Sequence, residues 1–186
     1  MSLSLSASPD VPKAGEGSSA EGLTTLHVDD LIAHLTLCLV RAGARLAYGG
    51  HLRRGGYADT LLTLIRAHNQ LGLPPAESLR SYVAAHLRDR VEIGVASPPI
   101  WVGEDIPADD DAGRALQLSR MRERMADESD ALIAMGGKTT PKDQRVSGTE
   151  GYSGRFPGIL EEAWRTLRRG KALFVIGGFG GAARRL

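Results

Sequence analysis

The residue types best suited to chemistry crowd into residues 121–162, which contain RERMADESDALIAMGGK, a polar loop TTPKDQRVSGTEGYSG, and RFPGILEEA. The pattern predicts a charged helix delivering Arg124, an apolar strand over 130–135, and a Gly136-Gly137-Lys138 turn at the strand's end. A second helix opens at Pro157-Gly158 with Glu161 and Glu162 in its first turns. In an open α/β sheet, ligands bind outside the carboxyl ends of the strands, which would gather a guanidinium, an ammonium and a carboxylate pair around one crevice. That set suits a phosphorylated ribose, with cations for the phosphate oxygens and a carboxylate for the hydroxyls.

Two further glycine turns bear on the same crevice. A strand over 46–48 runs into Gly49-Gly50 and Gly55-Gly56, which bracket a basic turn holding Arg53 and Arg54, and a helix through Leu61, Leu62, Ile65 and His68 follows. Strand, glycine-rich turn and helix in that order can cradle phosphate on backbone amides. Later, an apolar strand over 172–176 enters Gly177-Gly178-Phe179-Gly180-Gly181, which reads as the start of a helix cut short by the end of the chain.

Other motifs do not carry their usual chemistry. Gly137-Lys138-Thr139 lacks the earlier glycine of a phosphate-binding P-loop, and Pro141 blocks an immediate helix. Residues 178–183 satisfy the Gly-x-Gly-x-x-Ala spacing of a dinucleotide fold, but the position about twenty residues on, where an acidic residue would complete the fingerprint, lies past Leu186. The five histidines have no metal-ligand spacing, and His51 alone sits in a glycine turn where it could reach a ligand. The acidic run Asp109-Asp110-Asp111 fits a helix cap better than a metal site. No metal and no obligatory cofactor are therefore expected.

The elements that must position these residues are those of a single domain over 1–186, large enough to bury its own core. Hydrophobic and charged fractions of 42% and 24% are ordinary, and a formal net charge of +1 gives no reason to expect nucleic acid or membrane contact. The amino-terminal residues lack the pattern of a signal peptide, so a cytoplasmic location is expected. SLSLSAS fits a short first strand, and residues 9–20 read as loop. A helix follows over 27–42, capped by Asp29 or Thr24-Thr25 and stopped by Gly43, with Cys38 expected to be buried. Residues 77–111 stay ambiguous: SLRSYVAAHL is a strand or a short helix, and VEIGVASPPIWV holds a further strand before its prolines. The fold class is α/β, a Rossmann-like three-layer sandwich with a mostly parallel sheet of about five or more strands near Leu3, Leu46, Tyr82, Ile133 and Phe174.

SRMRERMADESDALIAMGGK is similar to the helix and strand of LOG-type nucleotide phosphoribohydrolases, with Arg124 at the place of their functional arginine. The whole chain resembles more closely the sensor branch of that superfamily, the SLOG domains. These include the nucleotide-sensing modules of melastatin-type TRP channels, their bacterial relatives, and the sensing half of Thoeris antiviral defence effectors. SLSASPD, LAYGGHLRRGGYADTL, IAMGGK, YSGRFPGILEEA and FVIGGFGGAA carry the likeness from end to end. The resemblance implies a Rossmann-like fold, a pocket for ADP-ribose or a related linear or cyclic nucleotide, and control of an attached or partner effector. It also leaves an enzymatic alternative, cleavage of the N-glycosidic bond of nucleoside monophosphates by Arg124 and Glu162. The chain departs from the hydrolases in an insertion over 139–155 and in Ile159 at their threonine position.

On that basis Ser6, Ser8, Gly49, Gly50, Gly55 and Gly56 are expected to cradle phosphates, with Arg53 in the intervening basic turn. Arg124 and Lys138 neutralise the pyrophosphate beside Gly136 and Gly137. Glu162, with Glu161 as second choice, accepts from the ribose at the Gly158 helix start, and Gly178 and Phe179 close the floor or stack beside the base. The small-molecule nucleotide and the effector are the expected partners, and exposed helix faces could also pair protomers.

Overall fold

The computed structural model describes residues 1–8, 22–71, 79–93, 98–142 and 151–186. The loop expected over 9–20 and much of the insertion expected over 139–155 lie outside them. Among the described residues six strands form one parallel sheet in the order β4-β3-β2-β1-β5-β6. They are β1 (Ser2–Ser8), β2 (Arg45–Gly49), β3 (Arg80–Ala84), β4 (Ile100–Val102), β5 (Ala131–Gly136) and β6 (Ala172–Ile176). Four α-helices accompany them: α1 (Thr25–Arg41), α2 (Tyr57–Gln70), α3 (Asp111–Glu128) and α4 (Gly158–Arg168). The α/β Rossmann-like class holds, and the sheet is parallel throughout.

Strand order and handedness together fix the layers. From β1 to β3 the chain steps outward in one direction, and from β4 it crosses back to β5 and continues to β6. Right-handed crossovers then put α1 and α2 on one face and α3 and α4 on the other. The reversal falls between β1 and β5, so their carboxyl ends flank the crevice where a ligand would enter. Every residue of β5 is buried, as an apolar central strand requires. Its register on β1 is pinned by Ser2, whose amide donates to Asp130 Oδ2 at 2.6 Å while the Asp130 amide donates to the Ser2 carbonyl at 2.7 Å.

Several expectations need correction. SLRSYVAAHL divides into β3 and a 3₁₀ turn, Ala85–Arg90, and a strand, β4, follows Pro98-Pro99, while residues 94–97 of the strand expected before the prolines lie outside the described residues. Prolines lack an amide donor and are tolerated at the start of an edge strand. Cys38 is exposed, because the inward stripe of α1 is Val28, Ile32, Thr36 and Val40. The segment after β6 makes two 3₁₀ turns, Gly177–Phe179 and Ala183–Arg185, and no α-helix. Among the described residues no helix is long and apolar enough to cross a membrane.

The acidic run does cap α3: Asp110 Oδ1 accepts from the Gly113 amide at 2.7 Å. Asp110→Ala should lower the unfolding free energy by about 1 kcal/mol, read from the urea midpoint. An unchanged midpoint would show that this cap contributes nothing.

Candidate functional site

β1 ends at Ser8 and β5 at Gly136, which are register partners, with Ser6 opposite Ala134 two residues inward. Both serines therefore stand on the strand end that borders the crevice. The chain leaves β5 through Gly136 and Gly137, at φ +61° and +97°, and reaches a half-buried Lys138. This turn is seated on the carboxyl-terminal segment, where the Ala182 amide donates to the Gly137 carbonyl at 2.8 Å. Phe179 is buried and belongs to the main core. Gly178 is exposed, with open space where a side chain would stand.

The arginine of α3 that reaches the glutamates at the start of α4 is Arg122, whereas Arg124 pairs within its own helix. Arg124 Nε donates to Glu128 Oε1 at 2.8 Å, and Glu128 also takes Tyr82 Oη at 2.8 Å and Arg80 Nη1 at 3.2 Å. Glu128 ends α3 and Arg80 begins β3, so this group sits at the amino edge of the sheet, opposite the crevice. Arg122 is 8% exposed, and its Nη1 donates to Glu161 Oε2 at 2.7 Å while Nε lies 3.7 Å from Glu162 Oε1. Helical periodicity carried the signal. Leu118, Met121, Arg122, Met125 and Ala126 form the buried i, i+3, i+4 stripe of α3, and Arg124 falls off it.

Gly158 follows from that placement. A Cβ there would stand 3.0 Å from Arg122 Nη2, and one at Gly154 would stand 2.7 Å from Nη1, so both glycines admit the guanidinium. Glu161 is further clasped by Arg165, Nη2 to Oε1 at 2.9 Å. Burial acts to raise its carboxyl, but the Ser119 hydrogen bond, the Arg122 charge and the Arg165 contact together hold it below the usual range. Glu162 is buried beside Arg122, and its charge bears on Tyr48, whose phenol is pushed up to about 12 by burial first and Glu162 second.

The glycine turn after β2 does not offer the expected amides. Gly50 donates to the Tyr82 carbonyl at 3.1 Å, Gly55 to Asp59 Oδ2 at 2.9 Å, and Gly56 to the Arg53 carbonyl at 3.2 Å. Gly49 instead allows close packing, since a Cβ there would stand 3.0 Å from Met125 Sδ. The turn contributes charge. His51 is pushed down to about 4, by the protein packed around it and then by Arg53, Arg90, His86 and Lys138. Among the described residues Arg53, Arg90 and Lys138 form no ion pair, whereas Arg114, Arg122, Arg165 and Arg169 all do. His86 and Arg90 had no place in the sequence reading, although AHLRDR follows β3 as a basic cluster.

The carboxyl edge thus presents cations on the β2, β3 and β5 turns beside Glu162 and Tyr48 at the start of α4 and the end of β2. A separate concavity of about 890 Å³ lies between α3 and α4, lined by Leu116, Phe156, Leu160 and Trp164, and shares Glu161 with this group. A family model described as SLOG cluster2 matches residues 1–97 and 107–186. A search of curated proteins returns no match.

Proposed function

This chain belongs to the SLOG cluster2 family, and from that premise we propose that it binds a phosphate-bearing nucleotide at the carboxyl edge of its sheet. The ligand is ADP-ribose or a related nucleotide signal, linear or cyclic, and its binding regulates an attached or partner effector in a bacterial defence or signalling setting. One observation supports this most: Arg53, Arg90 and Lys138, unpaired among the described residues, bear on the same His51 next to the β1–β5 reversal. Phosphate oxygens meet those cations, and the ribose hydroxyls meet Glu162 and Tyr48.

The sensing role draws support from the glutamate pair. N-glycosidic cleavage needs a carboxylate directed at the developing oxocarbenium charge or at its water. Glu161 is committed to Arg122 and Arg165, and Arg122 also lies beside Glu162. Glu161 is so withdrawn from that role, and Glu162 is left to the ribose hydroxyls.

Lys138→Ala should weaken ADP-ribose binding by roughly 1.5–3 kcal/mol, the worth of a hydrogen bond to a charged group, measured by calorimetry. Arg124→Ala should change affinity by less than about twofold, since it removes only an exposed pair at the opposite edge. Equal loss in both variants would return Arg124 to the site and overturn the assignment. Incubation with AMP and ADP-ribose should release no free adenine by chromatography; steady release would establish the phosphoribohydrolase instead.

A further inference from the structure

We propose that the turns after β2 and β3 form a second anion subsite, built from His51, His86 and Arg90, that grips the outer phosphate of a diphosphate-bridged ligand and takes up a proton as it does so. The inference rests on the nucleotide reading and names the ligand class more narrowly: a diphosphate in preference to a monophosphate.

Adjacent strands hold the parts together. β2 and β3 are paired, so their carboxyl-end turns are neighbours, one strand spacing of about 4.8 Å apart. Backbone bonds lock the two turns: the Glu92 amide donates to the Leu52 carbonyl at 2.8 Å, and Leu52 is wholly buried. Glu92 Oε2 accepts from the Arg54 amide at 3.3 Å. His86 is fixed from below by Gln117, itself 3% exposed, whose Oε1 accepts from the His86 amide at 2.7 Å and from Nδ1 at 2.9 Å. Gln117 Nε2 is held in turn by the Ile106 carbonyl at 2.7 Å. Because Oε1 can only accept, Nδ1 carries the proton, and Nε2 is the nitrogen left to meet a ligand.

Like charges so placed repel, and among the described residues no carboxylate pairs with Arg53, Arg90 or Lys138. A bound diphosphate supplies the missing charge. Lys138 stands at the β5 turn and Arg90 beyond β3, with His51 at the end of β2 between them. A single phosphate beside Lys138 leaves the outer group unanswered, whereas a ligand with a second phosphate has an anion to offer it.

Proton coupling follows from what faces each ring. His51 meets Arg53 on its own turn, His86 and Arg90 from the 3₁₀ turn, and Lys138 from the β5 turn, all cationic or neutral. His86 meets Gln117 and Arg114 of α3 and Arg90 of its own turn, and burial likewise lowers it. An anion arriving here reverses the field and favours the protonated rings, so affinity rises as pH falls from about 7 toward 5. The phosphates of ADP-ribose do not titrate in that range, so any proton taken up belongs to the protein.

The test is calorimetry on the whole chain with ADP-ribose and AMP, in two buffers of different ionisation enthalpy at about pH 5.5. Wild type should take up protons with ADP-ribose, and His51→Gln should abolish most of that uptake. Arg90→Ala should lose about tenfold or more of its ADP-ribose affinity and less than about twofold of its AMP affinity, with Arg90→Lys restoring part of it. Arg90 is exposed, so its variants should keep the wild-type thermal midpoint. Equal effects of Arg90→Ala on both ligands, or no proton uptake, would overturn the second subsite while leaving nucleotide binding intact. Failure of wild type to bind either ligand would overturn the nucleotide reading and this inference with it.

Discussion

Arg122→Ala should cost about 3–5 kcal/mol of unfolding free energy, because removing one partner of a buried ion pair leaves the other charge uncompensated. Here two buried carboxylates lose the Arg122 contact, Glu161 at 2.7 Å and Glu162 at 3.7 Å. Arg165 still holds Glu161, which keeps the loss from being larger. Acid denaturation gives an independent reading. The folded Glu161 carboxyl lies below its ordinary 4.5, so its contribution is complete above that value and is lost as pH falls through the folded value. Arg122→Ala should therefore flatten the acid limb of the stability curve. Arg124→Ala, at a half-exposed pair, should cost less than about 1 kcal/mol. Urea titrations of the two variants that gave the same midpoint would mean that Arg122 does not hold α3 to α4.

The contrast between these arginines shows how far the sequence could be read. β5 is legible because it is a short apolar run closed by glycine, a pattern that a buried parallel strand imposes, whereas the equally apolar β6 lies at the sheet edge with Phe174 and Val175 exposed. The α4 start came through because Pro-Gly ahead of two glutamates is a strong helix opening. Motif position points to Arg124, whereas helical phase puts Arg122 with Met121 and Met125 on the buried stripe. The glycines after β2 were read as phosphate amides, yet Gly50, Gly55 and Gly56 donate to Tyr82, Asp59 and Arg53, partners that only the folded turn brings near. Arg90 and His86 were invisible for a related reason: their segment has no periodicity, and β2–β3 pairing alone brings it beside His51. Local pattern reports which face a residue takes within its own element, whereas convergence between loops is a property of strand order.

The carboxyl-terminal glycines divide sharply, and Gly181→Ala should be the most damaging of them. Gly181 has φ +65°, and a Cβ there would stand 2.4 Å from the Gly137 carbonyl oxygen and 2.7 Å from the Gly136 carbonyl carbon. An alanine pays roughly 1–2 kcal/mol for the left-handed backbone, and relieving the overlap adds about 1–3 kcal/mol. Both contacted atoms are backbone, so no side-chain rotation can relieve them. The strain is transmitted to the β5 turn, since the Ala182 amide bonds the Gly137 carbonyl at 2.8 Å. Lys138 follows directly on that turn, and ADP-ribose affinity should fall together with stability. Gly178→Ala is the matched control, for nothing lies within 4 Å of its added Cβ, and it should stay within about 0.5 kcal/mol of wild type. Equal urea midpoints for Gly181→Ala and Gly178→Ala would mean that the last residues do not seat the turn. Lost stability with unaltered nucleotide affinity would separate the turn from the ligand.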